Sequence, residues 1–175
     1  MVETEPAATP VRDEILVAPL SFEDFFEAEQ DRLLRIMWLA AGNLQEAEDI
    51  VQDAFIRVWD RWPEVSRMES PVGYLHRTAM NVFRNRYRRA KLALKNAIAS
   101  THDHDPIGQA DERIAIGSAL GGLTPRQRAA VVLTDELGYP ADEAGGMLGV
   151  SASTVRSLAS AGRAALRADV RFEDD

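Results

Sequence analysis

The sequence predicts an all-α protein made of two small helical domains, a three-helix bundle and a helix-turn-helix unit, joined by a flexible linker. Three observations predict it. Apolar residues recur at spacings of three and four over long stretches, and strand-like alternation of any length is missing. Helix starts are marked at Ser21, Asn43, Ser70-Pro71 and Thr124-Pro125 by a capping side chain, twice followed by a proline. Residues 141–158, ADEAGGMLGVSASTVRSL, carry small, turn and apolar positions in helix-turn-helix order.

Residues 1–20 hold three prolines, scattered acids and little periodicity, which predicts a disordered acidic tail. Ser21 and Asp24 form a variant capping box, and Phe22, Phe25, Phe26, Leu33, Ile36, Met37 and Ala40 make the apolar stripe of a first helix. Gly42 ends it. Asn43 caps a second helix whose inward set is Ala47, Ile50, Val51, Ala54, Phe55, Val58 and Trp62, with Pro63 as its breaker. The outer face carries Glu46, Asp49, Gln52, Asp53, Arg57 and Asp60. A polar loop leads to Ser70-Pro71 and a third helix reaching about Leu94, with Tyr74, Leu75, Thr78, Ala79, Val82, Phe83 and Tyr87 inward. These helices define a first domain at 21–95, followed by a linker at 96–110. A short helix from about Asp111 to Leu120, a helix begun by Thr124-Pro125 and the helix-turn-helix define a second domain at 111–170.

Within the helix-turn-helix, Ala144 and Leu148 share one face, and Gly145 offers bare backbone where a second helix can cross. Gly149 supplies the left-handed turn residue. Val150 plugs the turn, Ser151 or Ser153 caps the next helix, and Val155 and Leu158 face inward. Ser151, Ala152, Ser153, Thr154, Arg156 and Ser157 are left on the surface that enters a major groove. A plain helical hairpin inside a bundle is the competing interpretation.

Composition sets limits. Hydrophobic residues make up 46% of the 175, enough for ordinary cores, and cysteine is absent, which removes disulfides and thiolate metal sites. Neither a membrane-spanning run nor a signal peptide is present, so a cytoplasmic location is expected. The formal net charge of −8 looks unsuited to DNA. Residues 1–30, however, carry eight acids against Arg12 alone, which leaves −1 for the other 145 residues. RNRYRRAKLALK at 84–95 has six basic residues and no acid, and such a local patch outweighs the total because phosphate attraction is screened over about 10 Å.

Three segments together resemble a bacterial sigma factor of the extracytoplasmic-function type. AEDIVQDAFIRVWDRW at 47–62 is similar to the helix that grips the RNA polymerase β′ subunit. PVGYLHRTAMNVFRNRYRR at 71–89 is similar to the element that reads and melts the −10 promoter segment, and LTPRQRAAVVLTDELGYPADEAGGMLGVSASTVRS is similar to the region that reads the −35 element. The resemblance implies a non-enzymatic subunit without cofactor. Its expected partners are core polymerase (β′ and β), promoter DNA and an anti-sigma factor.

The resemblance also implies site residues. Asp49, Gln52, Asp53 and Arg57, with a rim of Phe55 and Trp59, are expected to dock on polymerase, although a solvated helix face has the same appearance. Arg67, Met68 and Glu69 are expected to pocket an unstacked −10 base, and Asn81, whose amide both donates and accepts, to read a base edge. Arg84, Arg86, Arg88, Arg89 and Lys91 can neutralise phosphates, although the helix dipole alone favours some cations there. Ser151, Ser153, Thr154, Arg156, Ser157 and Arg163 are expected at the −35 element, with Arg163 and Arg167 on backbone. The last helix is less basic than is common in the family, and Gly145-Gly146 lowers helix propensity by about 1 kcal/mol per residue.

A LuxR-like regulator with a sensor or dimerisation domain also fits LTPR followed by a helix-turn-helix; the basic third helix distinguishes the two. His102, His104, Asp103 and Asp105 are expected to be solvated linker rather than a metal site. A helical enzyme has no supporting nucleophile–base set or P-loop.

Overall fold

A computed structural model describes residues 21–96 and 121–170. The acidic tail, the linker with its His102–Asp105 run, and the short helix expected at Asp111–Leu120 lie outside the described residues.

Among the described residues every regular element is helical: α1 (Phe22–Ala41), α2 (Leu44–Trp59), α3 (Trp62–Val65), α4 (Pro71–Asn96), α5 (Pro125–Val131), α6 (Ala141–Leu148) and α7 (Ala152–Val170). The boundaries follow the chemistry of the caps. Ser21 Oγ accepts from Asp24 N at 3.0 Å and Asn43 Oδ1 from Glu46 N at 2.9 Å, each satisfying one orphan donor of its helix. Between them Gly42 takes φ 75°, the left-handed geometry that closes α1. Thr124 and Gln127 form a reciprocal capping box on α5.

The second helix is shorter than its periodicity predicts, stopping at Trp59 rather than Trp62. Had it continued, the Pro63 ring would have met the carbonyl of Trp59, four residues back. Pro63 sits instead in the first turn of α3, and Trp62 folds back to contact Phe22 and Phe25 at ring-centroid distances of 5.4 and 5.0 Å. Beyond α5 the helix widens into a π-helical segment, Val132–Glu136, closed by Leu137 N donating to Val132 O at 3.0 Å. Thr134 Oγ1 donates to the Ala130 carbonyl at 2.9 Å, one of the partners for backbone loosened by that wider turn.

In the first module, α1, α2 and α4 bury Leu33, Ile36, Met37, Ile50, Val58, Leu75 and Met80 completely, each large aliphatic contributing about 1.5–3 kcal/mol by leaving water. In the second, α5 and α6 pack on α7. Gly145 and Gly162 allow the close crossings: a Cβ on Gly145 would stand 2.7 Å from the Val150 carbonyl oxygen, and one on Gly162 2.7 Å from Val131 Cγ2.

The modules also touch each other, which the sequence did not signal. The buried residues of both belong to one apolar cluster. Arg128 on α5 reaches across to the end of α1, donating to the carbonyl oxygens of Ala40 at 3.2 Å and Ala41 at 2.8 Å, and to Leu123 O of its own module at 3.1 Å. His76 Nδ1 on α4 shares a 3.0 Å hydrogen bond with Tyr139 Oη, and Arg35 pairs with Glu136 at 3.7 Å.

Candidate functional site

Helix α2 presents a polar ridge whose spacing places Asp49, Gln52 and Asp53 beside one another. Asp49 and Asp53 are half-buried because Arg86 of α4 leans over them. Its guanidinium bonds Glu46 Oε1 at 2.7 Å and Asp49 Oδ2 at 2.8 Å, and Asp53 lies at 4.0 Å. The hydrogen bond to Glu46 leads the causes that hold Arg86 firmly protonated. Arg86 is therefore committed to carboxylates of its own fold, a correction to its expected role as a phosphate contact. The ridge keeps Gln52 and Arg57 exposed.

The expected aromatic rim is half right in geometry. Trp59 is 53% exposed and leans edge-on against Phe22 at 4.7 Å, at the mouth of a shallow groove lined by Phe22, Glu23, Phe26, Glu27 and Trp59. Phe55 is a core residue at 4% exposure, 4.8 Å from Phe26, so it offers no surface for docking. The apolar side chain that does project is Ile56, at 59%, which the reading of α2 overlooked. It is one residue from Phe55, about 100° round the helix.

Arg67, Met68 and Glu69 stand exposed on the loop between α3 and α4. The loop is tethered rather than free. Val65 is fully buried, Met68 N donates to Val65 O at 3.0 Å, and Ser70 Oγ accepts from Gly73 N at 3.0 Å at the α4 N-terminus. Asn81 is half-buried one face away, in an open polar depression with Arg57, Asp60, Arg61, Tyr74 and Thr78. Arg61 and Tyr74 belong to this depression without having been anticipated. The Arg61 guanidinium donates to Tyr74 Oη at 3.2 Å, lies 5.9 Å from the ring centroid and is held by Glu64. An amide, a phenol and two guanidiniums around one hollow can hydrogen-bond a base edge and a phosphate together.

Farther along α4 the basic run divides. Arg88, Arg89 and Lys91 are exposed. Arg84 is half-buried against the other module, its Nη1 2.6 Å from where a Cβ on Gly149 would stand.

At the helix-turn-helix, Gly149 takes φ 67° and closes α6, as the turn requires. Ser151 rather than Ser153 caps α7, accepting from Thr154 N at 3.2 Å, and its hydroxyl also meets those of Ser153 and Thr154 at 2.9 and 2.8 Å. Val155 is buried beneath, Leu158 is partly buried against the core, and Arg156 and Ser157 face solvent. Arg163 is turned toward the π-helical segment, where it pairs with Asp135 at 3.0 Å. Both are partly accessible, so the pair is worth at most about 1 kcal/mol and can open. In the free chain Arg163 is thus directed at a carboxylate rather than at solvent.

His76 is the buried ionisable group that pattern reading missed. It is 3% exposed, and loss of water, followed by the charge of Arg32, pushes its pKa down to about 4. Among the described residues no cluster of histidine and carboxylate side chains suits a metal, and no helix is long and apolar enough to cross a membrane.

The family model described as Sigma-70 region 2 matches residues 25–92, and that described as Sigma-70, region 4 matches residues 113–166. The ECF RNA polymerase sigma factor SigE of Mycolicibacterium smegmatis is 34% identical over 174 residues, covering 93% of this chain and 67% of that protein. SigM of Mycobacterium tuberculosis is 33% identical over 151 residues, covering 83% and 75%. Among solved structures, the sigma factor RpoE from Bartonella quintana, in complex with the anti-sigma factor NepR, has a TM-score of 0.65 at 21% identity over 86% of this chain and 96% of that one, a likeness of fold. The extracytoplasmic function sigma factor SigJ of Mycobacterium tuberculosis has a TM-score of 0.61 at 28% identity, over 83% and 53%.

Proposed function

The chain belongs to the extracytoplasmic-function sigma factors of the sigma-70 family, and from that premise we propose that it binds core RNA polymerase and directs it to promoters by reading a −35 and a −10 element and holding the melted −10 strand. The observation that carries this is the presence, on one chain and in order, of a region 2 match and a region 4 match that contains the helix-turn-helix. The LuxR-like alternative needs a sensor or dimerisation bundle in the first module, and the region 2 match leaves it without support.

In this reading α2 docks on the polymerase through Gln52, Asp53, Ile56, Arg57 and Trp59, with Asp49 held in line by Arg86. Arg88 and Arg89 place the promoter strand by its phosphates, a sequence-blind contribution. Asn81 reads one base from the depression it shares with Arg61 and Tyr74, and the 67–69 loop receives another. Extruding a base costs a few kcal/mol, which stacking and edge contacts in the protein offset. Ser153, Thr154, Arg156 and Ser157 of α7 meet the −35 major groove, while the Ser151 hydroxyl shapes the helix end. The chain itself makes or breaks no covalent bond. An anti-sigma factor covering these surfaces is a further expected partner.

Run-off transcription tests the proposal. Core polymerase stripped of every other sigma factor, supplemented with this chain, should give transcripts starting at discrete sites on genomic fragments. Transcripts at random ends only, as from core alone, would contradict it.

A further inference from the structure

We propose that the hollow around Asn81 takes guanine from the melted strand, identified by Asp60 on its Watson–Crick edge and by Arg61 on O6 and N7. The proposal rests on the sigma-factor reading above and adds which base this hollow selects.

Asn81 alone does not choose, because an amide both donates and accepts and so suits every base. The charged residues on the rim do. Asp60 and Arg61 stand where α2 ends and line the hollow with Tyr74, Thr78 and Asn81. Thr78 is already engaged, its Oγ1 donating to the Tyr74 carbonyl oxygen at 2.8 Å. Though adjacent in sequence, the two charges do not pair with each other. Arg61 is held by Glu64 through Nε and Nη2, and donates to Tyr74 Oη through Nη1 at 3.2 Å. That leaves one N–H on each terminal nitrogen, a two-pronged donor.

Asp60 has no side-chain partner among the described residues. Nor does stability call for a carboxylate there. The Asp60 N–H closes α2 on the Ile56 carbonyl at 3.0 Å, and the helix dipole disfavours an acid at that end. A carboxylate also repels phosphates, so on a surface that meets nucleic acid it belongs opposite the donors of a base.

Its two oxygens only accept. Guanine is the base that presents two adjacent donors, N1–H and the N2 amino group, and strand opening exposes that edge. The O6 and N7 of the same base form an acceptor pair that a guanidinium fork fits. Cytosine and adenine each offer a single amino donor. Thymine would set carbonyl oxygens on both sides of its one N–H against the carboxylate. Guanine therefore engages both charges at once.

Polymerase carrying the full-length chain can select among promoter duplexes whose non-template −10 strand is unpaired and random. Guanine should be enriched at the −10 position whose preference Asn81→Ala weakens. Hypoxanthine at that position lacks only the N2 amino group, and should weaken binding by the native chain about tenfold. With Asp60→Asn the same replacement should cost less than about twofold, because one of the two acceptors is gone. 7-Deazaguanine probes the other edge: about tenfold weaker binding by the native chain, and no loss with Arg61→Ala. Both side chains are exposed, so both variants should melt with the native chain, and a purely structural role would not tell one base analogue from another. Enrichment of a different base at that position, or equal sensitivity to hypoxanthine with and without Asp60, would overturn the assignment. No −10 sequence enriched beyond core polymerase alone would overturn the sigma-factor reading, and this assignment with it.

Discussion

The guanidinium of Arg128 donates to the carbonyl oxygen of Ala41 at 2.8 Å, so a side chain from the start of the second module finishes the first helix of the first. Removing it strands carbonyls at the α1 C-terminus and leaves a cavity. Arg128→Ala should cost about 2–3 kcal/mol of unfolding free energy in urea titration, and Arg128→Lys should recover only part, because an ammonium lacks the planar fork. A loss under about 0.5 kcal/mol would mean that water replaces the guanidinium without penalty.

His76 makes stability depend on pH in a defined direction. Its folded pKa of about 4 lies below the ordinary 6.5, so the unfolded chain binds the proton more readily between those values. The stability tied to the neutral imidazole is complete above pH 6.5 and is lost as pH falls toward 4, amounting to about 3 kcal/mol. Arg32 opposes protonation directly. Tyr139, held neutral by burial and by Glu143, supplies the hydroxyl across the junction. Denaturation midpoints measured from pH 7.5 to 4 should fall more steeply for the native chain than for His76→Leu. Parallel slopes would remove His76 as the source.

Two adjacent glycines should respond in opposite senses. Gly145→Ala pushes a methyl to 2.7 Å from the Val150 carbonyl oxygen, a backbone atom that cannot step aside, and should destabilise the helix-turn-helix by about 1–3 kcal/mol. Gly146 is exposed on the same helix with nothing within 4 Å, so Gly146→Ala should stabilise by about 0.5–1 kcal/mol through helix propensity. Thermal melts of the two variants read the difference.

On α2 the surface and core roles of neighbouring residues can be separated. Ile56→Glu should weaken binding to core polymerase about tenfold or more while leaving the melting temperature within about 2 °C, because the side chain is exposed. Phe55→Ala, in the core, should destabilise by about 3–5 kcal/mol and weaken binding only through unfolding. Pull-down with core enzyme alongside calorimetry measures both.

Much of the local structure is legible in the sequence. The caps at Ser21, Asn43 and Thr124, the left-handed Gly42 and Gly149, and the crossing at Gly145 are local features, and local features are written in neighbouring residues. Phe55 and Ile56 were harder: adjacent apolar residues on an amphipathic helix differ only by rotation, and a broad apolar stripe does not show where it ends. Arg86 and Arg163 look like solvent-facing cations in sequence because their carboxylate partners stand 40 and 28 positions away. The π-helical segment and the junction through Arg128, His76 and Tyr139 arise from packing between distant segments, to which periodicity is blind. Asn81 is singled out by resemblance alone, whereas the Arg61–Tyr74 pair beside it depends on the fold bringing α4 against the turn after α2.

Permanganate footprinting of a promoter bound by polymerase carrying this chain tests the central claim most directly, because it reports unpaired thymines. Reactive thymines confined to the −10 region, dependent on this chain and reduced by Asn81→Ala, are the predicted result. A duplex that stays unreactive there, while the helix-turn-helix alone protects an upstream site, would contradict a role in opening promoter DNA.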